Sequence, residues 1–313
     1  METFGRGPRR GQRPAPNENQ RKKDSVARSQ LNPSANLQTQ RNTESVDGWQ
    51  TFAGHRAQVM SLLLKLAGDA SDPVPRRICL LGAGNCNDID LPQLIHHFAE
   101  VHLVDLDRDA LIAGTRTQGV AESEQIKLHV GMDLSGIVEQ LGQWHTTPPR
   151  PGDYPAVVAN ARSATIPIAG PFDVVASLCT ISQLIDAVLI ASGQPTQESI
   201  TLALAVRDRH LELMEQLTQP GGHLVLITDV TSSATVPDLN VIPVEQLPVK
   251  LIEMINTRNF FTGLNPFALL ARYRQDPEWE SRAESAELSA PWIWNLGPRQ
   301  YIVCALTVRK PVH

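Results

Sequence analysis

Residues 77–88 have the sequence RICLLGAGNCND, in which an apolar run is followed by two closely spaced glycines and by polar residues. Its apolar run ends at Leu81 and predicts a short buried strand. The next residues include Gly82 and Gly84, whose missing side chains let backbone N–H groups approach a ligand closely. A polar residue at the end of the stretch, Asn87 or Asp88, can cap a helix. The stretch therefore predicts a strand, a tight turn and a helix N-terminus.

A second apolar run, VHLVDLD over residues 101–107, follows about 20 residues later. It predicts a strand with Asp105 at its tip, where a carboxylate accepts hydrogen bonds from ribose hydroxyls. Asp107 is better placed to cap a helix over residues 109–118. The alternatives are a turn that binds no ligand and a strand-end Asp that only caps a helix.

The rest of the chain continues to alternate between strand and helix patterns. Further strands are predicted at 126–130, 172–176, 223–228, 292–296 and 301–308, with helices at 91–98 and 199–217 and a tight turn at 220–222. We therefore predict an α/β fold, with a doubly wound, mostly parallel seven-stranded sheet. Residues 49–313 are predicted to form one domain.

Three segments outside this alternation have distinct compositions. Residues 1–48 are poor in large apolar side chains, which predicts a disordered N-terminal tail. Residues 49–75 contain an amphipathic pattern that predicts an N-terminal helix ending in chain-breaking residues. Residues 145–171 are rich in proline and predict an insertion or a long loop.

Charge and composition restrict the classes of partner. The tail carries nine Lys and Arg against five Asp and Glu, a net charge of +4, so the remainder carries -9 of the total of -5. A body of that sign does not attract phosphate backbones, and we expect no nucleic-acid partner. No long apolar run or secretory signal is visible, and four widely spaced cysteines favour reduced thiols. We therefore expect a cytoplasmic protein that does not bind membranes.

The motifs resemble, in order along about residues 49–310, those of the class I S-adenosylmethionine-dependent methyltransferases. LLGAGNCND resembles their first motif, HLVDLD their second, FDVVASLCTISQL their fourth-strand motif and PGGHLVLITD their fifth-strand motif. The resemblance implies a Rossmann-like fold, S-adenosyl-L-methionine as cofactor and methyltransferase activity. Two places depart from the family pattern: Leu80 replaces an acidic residue, and Cys86 replaces a third glycine.

The resemblance also assigns residues to the cofactor. The predicted cofactor-binding residues are Gly82, Ala83, Gly84, Asn85, Asn87, Asp105, Leu106, Asp133, Ser177 and Leu178. Asp105 is expected to bind the ribose. Asp133 follows the third strand and can accept from the adenine amino group, although a helix-capping role is an equal alternative. Asn85, Asn87 or Asp88 can replace the acid missing at Leu80.

The acceptor is expected beyond the carboxyl end of the fourth strand, and a catalytic residue is not identified. Candidate side chains there are Ser177, Cys179 and Gln183, and His210 on the long helix is a further candidate base. Trp292 and Trp294 can line a pocket, although core packing is the commoner role of such aromatic residues. The adjacent His96 and His97 point about 100° apart on a helix, so we predict no metal site.

The resulting hypothesis is a methyltransferase acting on a small molecule or a peptide. One alternative is an NAD(P)-binding oxidoreductase, which shares the glycine turn and the strand-end acid. Against it, Asn87 occupies the position of the last glycine in GxGxxG. The other alternative is a non-catalytic cofactor-binding or interaction protein that retains the fold.

Overall fold

One mixed β-sheet organises the chain, and a computed structural model describes residues 32–68 and 76–312. The strands are β1 Arg77–Leu81, β2 Glu100–Asp105, β3 Ile126–Val130, β4 Phe172–Leu178, β5 Thr218–Ser232, β6 Ser285–Leu288, β7 Trp292–Asn295 and β8 Gln300–Arg309. Their order is β3-β2-β1-β4-β5-β8-β6, with β7 also paired to β8. Strands β1 to β5 run parallel, and β8 is antiparallel to its neighbours.

Helices cover both faces of this sheet. They are α1 Pro33–Glu44, α2 Ala53–Lys65, α3 Leu91–His97, α4 Arg108–Thr117, α5 Val138–Trp144, α6 Tyr154–Ser163, α7 Thr180–Ser192, α8 Gln197–Leu217, α9 Leu247–Asn256, α10 Pro266–Gln275 and α11 Pro277–Glu280. Short 3₁₀ turns lie at Pro151–Asp153, Leu239–Val241 and Val244–Gln246. None of the helices in the described ranges is long and apolar enough to cross a membrane.

The core lies in two layers because successive residues of each strand point to opposite faces. Cys79 and Leu81 of β1 pack with the cluster that includes helices α5 to α8. Ile78 and Leu80 pack with the cluster that includes α2 and α3. The predicted doubly wound, mostly parallel sheet is therefore confirmed.

The sheet contains eight strands where the sequence predicted seven. β6 pairs with residues 306–309 of β8, and β7 pairs with residues 300–303 of the same strand. Since β5 pairs along the other side of β8, the two short strands share one position in the sheet. Pro291 lies between them and lacks the N–H that a continuous strand would use.

The N-terminal segment differs from the prediction of a disordered tail through residue 48. Residues 1–31 lie outside the described part, but residues 33–44 form α1, so the prediction is wrong for them. The Asn32 side chain caps α1 by accepting from the N–H groups of Ser34 and Ala35. Helix α2 begins at Ala53, because residues 45–52 form a turn between the two helices.

Two proline-containing segments also contain more regular structure than predicted. The 145–171 segment includes α6, whose Tyr154, Val157 and Ala161 side chains are buried in the core. The predicted turn at 220–222 is instead part of β5, where the register against β4 shifts. Gly221 adopts a φ of +74° there, which glycine accommodates without strain.

Candidate active site

The loop after β1 is built around two glycines in left-handed conformations. Gly82 has a φ of +74° and Gly84 a φ of +46°. The N–H groups of Gly82 and Ala83 both donate to the Val104 carbonyl of β2, at 2.8 and 3.2 Å. A Cβ on Gly82 would lie 1.6 Å from Thr180 Oγ1, so the loop packs directly on the start of α7. These contacts hold the loop across the carboxyl ends of β1 and β2.

Asp105 lies at the tip of β2, as predicted, and its carboxylate faces this loop. One oxygen accepts from the Gly84 N–H and the other from the Asp107 N–H, each at 2.8 Å. Burial raises the pKa of Asp105 to about 6, although these N–H donors favour the ionised form. The Asp107 carboxylate caps α4 by accepting from Asp109 and Ala110 N–H groups.

Three other predicted cofactor residues have different surroundings. The Asn85 and Asn87 amides donate to the carbonyl groups of Asn42 and Ser45, at the end of α1. Both Asp133 oxygens accept from N–H or hydroxyl groups of residues 135–138. The capping alternative is therefore the better interpretation of Asp133.

The remaining cofactor predictions concern residues whose backbone lines this edge. Ala83 and Leu178 are buried, and Leu106 is half-buried. Gly84 lies against Asn42 of α1, because a Cβ on this glycine would be 2.8 Å from Asn42 Oδ1. With α1 in this position, only some of the predicted cofactor-binding residues are accessible to a ligand.

Ser177 and His210, predicted as separate candidates, form one hydrogen-bonded pair. Ser177 Oγ lies 2.9 Å from His210 Nε2, and both residues are 0% exposed. Burial and the neighbouring Arg209 lower the pKa of His210 to about 4. Neither side chain can contact an acceptor from the core, so the structure does not support His210 as the base.

Cys179 and Gln183 lie at the junction of β4 and α7. Cys179 has a φ of +48° and is 1% exposed, and burial raises the pKa of its thiol. Gln183 Nε2 donates to the Cys179 carbonyl at 3.4 Å. A neutral, enclosed thiol is a poor nucleophile, so Cys179 shapes the turn in this conformation.

The tryptophans belong to the core. Trp292 and Trp294 are each 7% exposed, and the Trp294 ring stacks on His55 with centroids 4.6 Å apart. The described residues contain no group of three or more His, Cys, Asp or Glu side chains suited to a metal ion.

Three carboxylates lie at the carboxyl edge of the sheet, of which Asp105 and Asp229 are buried and Asp88 is partly exposed. Asp88 follows the glycine loop, Asp105 ends β2 and Asp229 lies in the last part of β5. Burial raises the pKa of Asp88 to about 7 and of Asp229 to about 6. Within residues 32–68 and 76–312, no Lys or Arg forms an ion pair with any of the three. Arg56 near Asp88 and Arg41 near Asp229 oppose these shifts, but burial has the larger effect on the pKa of each carboxyl group.

The sequence analysis did not identify three residues of α1 and α2 that lie at this edge of the sheet. Arg41 and Asn42 of α1 contact Asp186 and Asp107, and His55 of α2 lies beside Asp88. No local motif marks them, because each pairing joins segments far apart in the chain.

No protein-family profile and no curated protein matches the sequence. Among solved structures, the chain is similar to the N-methyltransferase NodS from Bradyrhizobium japonicum WM9, with 11% identity over 82% of this chain and 87% of that one, and a TM-score of 0.40. Magnesium protoporphyrin IX methyltransferase from Synechocystis PCC 6803 has 13% identity over 83% and 86%, with a TM-score of 0.40. An rRNA methylase from Streptococcus thermophilus has 11% identity over 81% and 95%, with a TM-score of 0.39. The TM-scores of these three structures are low. We therefore describe the fold of this chain from its own strand order.

Proposed function

We propose that this chain is a transferase that binds S-adenosyl-L-methionine and moves its methyl group to a small molecule or a peptide. The observation that carries the proposal is the set of carboxylates Asp88, Asp105 and Asp229 beside the glycine loop, whose pKa values are all raised by burial. Such a site favours a cationic ligand, because a buried carboxylate ionises more readily beside a positive charge. S-adenosyl-L-methionine carries a sulfonium and an ammonium group.

The same charges disfavour the oxidoreductase alternative. A dinucleotide places its pyrophosphate against the glycine loop and the helix N-terminus that follows it. Here that loop is followed by the carboxylate Asp88, whereas Asp105 has the position of a ribose-binding acid in both alternatives. The pyrophosphate would lie against the Asp88 carboxylate, which forms no ion pair with a Lys or Arg in the described residues.

The donor would lie across the carboxyl edge of the sheet. Asp105 would accept from the ribose hydroxyls through the lone pairs that the Gly84 and Asp107 N–H groups leave free. When bound, the donor supplies the methyl group and the leaving group for an in-line displacement. The protein's contribution is to align donor and acceptor and to exclude water.

The acceptor end would lie beyond β4 and β5. Asp229 accepts a short hydrogen bond from Ser182 Oγ, at 2.5 Å, and this pair links β5 to the first turn of α7. With a pKa near 6, Asp229 is mostly ionised at neutral pH. It is therefore the carboxylate available at this end to hold a proton or a cationic acceptor.

The first experiment is calorimetric titration with S-adenosylmethionine, S-adenosylhomocysteine and NAD. We expect the first two to bind and NAD not to bind. Asp105→Ala should weaken S-adenosylhomocysteine binding by about 1.5–3 kcal/mol, as expected for lost hydrogen bonds to a charged group. Asp238→Ala, at an exposed position, is the matched control.

Three outcomes would contradict parts of the proposal. Binding of NAD alone would favour the oxidoreductase. Wild-type affinity in Asp105→Ala would exclude the ribose assignment. Tight donor binding with no methyl transfer to any acceptor in a broad screen would favour the non-catalytic alternative.

A further inference from the structure

Asp88 is held in an unusual polar chain behind the glycine loop. The Trp292 indole N–H donates to His55 Nδ1 at 3.0 Å. A neutral His55 therefore carries its proton on Nε2, which faces Asp88 Oδ1 at 3.4 Å. Burial lowers the pKa of His55 to about 3, so the ring is neutral at physiological pH. The chain runs from the indole through the imidazole to the carboxylate.

Part of the Asp88 side chain is accessible. Oδ1 is fully enclosed, whereas the side chain as a whole retains 14% exposure. Burial raises the pKa of Cys86 in the loop and of Cys179 at the end of β4, and the Asp88 charge makes a smaller contribution to both shifts. Asp88 therefore lies near the ends of β1 and β4, where the strand order changes direction.

Asp88 lies at the end of the proposed donor site that is opposite the ribose. Asp105 ends β2, on one side of β1, and β4 lies on the other side. A ligand whose ribose binds Asp105 and which crosses the glycine loop brings its far end to the crevice between β1 and β4. Leu80, at the position of the acid in the family pattern, offers no polar group there and is 0% exposed.

We propose that Asp88 binds the ammonium group at the amino acid end of the donor, and that His55 and Trp292 are positioning residues for its carboxylate. The inference rests on the proposed function, because it assigns one end of the same donor site. The His55 Nε2–H group lies 3.4 Å from Asp88 Oδ1, and its dipole at that distance favours the ionised carboxylate and limits its orientation. The second carboxylate oxygen then remains free for the ligand.

The test compares two ligands that differ at one end. S-adenosylhomocysteine carries the amino acid group, and 5′-methylthioadenosine has the same adenosine and thioether without it. For Asp88→Asn at pH 8, we expect S-adenosylhomocysteine to bind roughly 10- to 100-fold more weakly, from the loss of a charged hydrogen bond. The affinity for 5′-methylthioadenosine should not change. Asp105→Ala should weaken the binding of both ligands.

The positioning role has a separate readout. Trp292→Phe keeps an aromatic ring but removes the indole N–H that fixes His55. We expect the pH midpoint of S-adenosylhomocysteine binding to move upward, because the Asp88 carboxylate loses support for its charge. Equal S-adenosylhomocysteine affinity in wild type and Asp88→Asn would overturn the inference. Failure of wild type to bind either ligand would instead overturn the proposed function.

A second, independent observation concerns α1, which lies on the same loop. Asn42 Nδ2 donates to Asp107 Oδ2 at 3.1 Å, and Asn42 Oδ1 lies over the open face of Gly84. Arg41 forms an ion pair with Asp186 of α7. The last turn of α1 is thus anchored on both sides of the loop.

Side chains of the glycine loop also donate hydrogen bonds to the end of α1. Asn85 Nδ2 donates to the Asn42 carbonyl and Asn87 Nδ2 to the Ser45 carbonyl, at 2.5 and 2.6 Å. These carbonyl groups lie at the C-terminus of α1, where they also accept from the N–H groups of Ser45 and Gly48. The polar side chains of the loop are therefore engaged by the chain's own N-terminal segment.

We infer that the last turn of α1 occupies the face of Gly84 that the donor needs, so that donor binding requires this turn to move away. A backbone surface without a Cβ is the place where a nucleoside approaches such a loop. Asn42 fills that place at contact distance. Docking of α1 therefore competes with the donor and lowers its apparent affinity.

The test weakens docking in the full-length chain. For Arg41→Ala combined with Asn42→Ala, we expect S-adenosylhomocysteine to associate faster and to bind roughly three- to tenfold more tightly. Gln40→Ala is the control on the same helix, because the exposed Gln40 side chain donates to Glu44. Hydrogen exchange over residues 41–48 should become faster when S-adenosylhomocysteine is added. Slower exchange together with weaker binding in the double variant would overturn competition and indicate a strap that closes over bound donor.

Discussion

Gly82→Ala is expected to lower the free energy of unfolding by about 3 kcal/mol. The left-handed φ of +74° costs an L-residue about 1–2 kcal/mol. The added Cβ would also lie 1.6 Å from Thr180 Oγ1 and 2.8 Å from Thr180 Cβ, which adds an overpacking cost of about 1–3 kcal/mol. Thr180 cannot turn away freely, because its hydroxyl donates to the carbonyls of Leu81 and Leu178.

A matched control separates the two costs. Gly119 has a similar φ of +72°, but a Cβ there meets nothing within 4 Å. Gly119→Ala should therefore show only the conformational cost, measured by urea unfolding. In a Thr180→Ala background, Gly82→Ala should become about 1 kcal/mol less costly, because the closest clash is gone. Equal effects at both glycines would show that the loop does not pack on α7 as described.

Gly82 illustrates what the sequence could predict. A glycine pair after an apolar run and an acid after the next run are local patterns, and each reflects a backbone requirement that few residues meet. The positions of Gly84 and Asp105, joined by one hydrogen bond, follow from these patterns together with parallel pairing of β1 and β2. This part of the site was therefore accessible to sequence analysis.

Helix α1 could not be predicted in the same way. Only Ser34 is buried among its residues, so apolar periodicity gives no signal. Its stability comes from a capping Asn32 and from polar contacts with the loop and with α7, which depend on the folded partner. A segment that gains its structure from long-range polar contacts has the composition of a disordered tail.

Burial explains the other differences between the sequence predictions and the structure. Ser177 and His210 are attractive candidates as isolated residues, but the fold places both in the core, where they bond to each other. Conversely, His55 was not a candidate from the sequence, yet it forms a hydrogen bond with Trp292, 237 residues away, beside Asp88. Residue type alone does not distinguish the Ser177–His210 pair from the His55–Trp292 pair, because each pair depends on which helix packs on which strand.

Asp88→Asn is expected to stabilise the donor-free protein, with a gain that increases as the pH rises. In the unfolded chain this carboxyl ionises near pH 4, whereas burial raises its folded-state pKa to about 7. Between these values the folded state binds more protons, so the stability contributed by the neutral carboxyl is lost as the pH rises. The full difference corresponds to at most about 4 kcal/mol above pH 7.

Urea unfolding of both proteins at pH 5 and pH 8 measures this effect. We expect the advantage of Asp88→Asn to be about 2 kcal/mol larger at pH 8 than at pH 5, because asparagine carries no charge at either pH. His55, with its pKa lowered to about 3, does not titrate in this range. Asp238→Asn, at an exposed position, should show no such increase. A constant difference would mean that Asp88 is already ionised in the folded protein at pH 5, and that its charge is compensated without a ligand. An increasing difference would mean that the apo protein maintains a carboxylate at a cost in stability, as expected of a group that awaits a cationic partner.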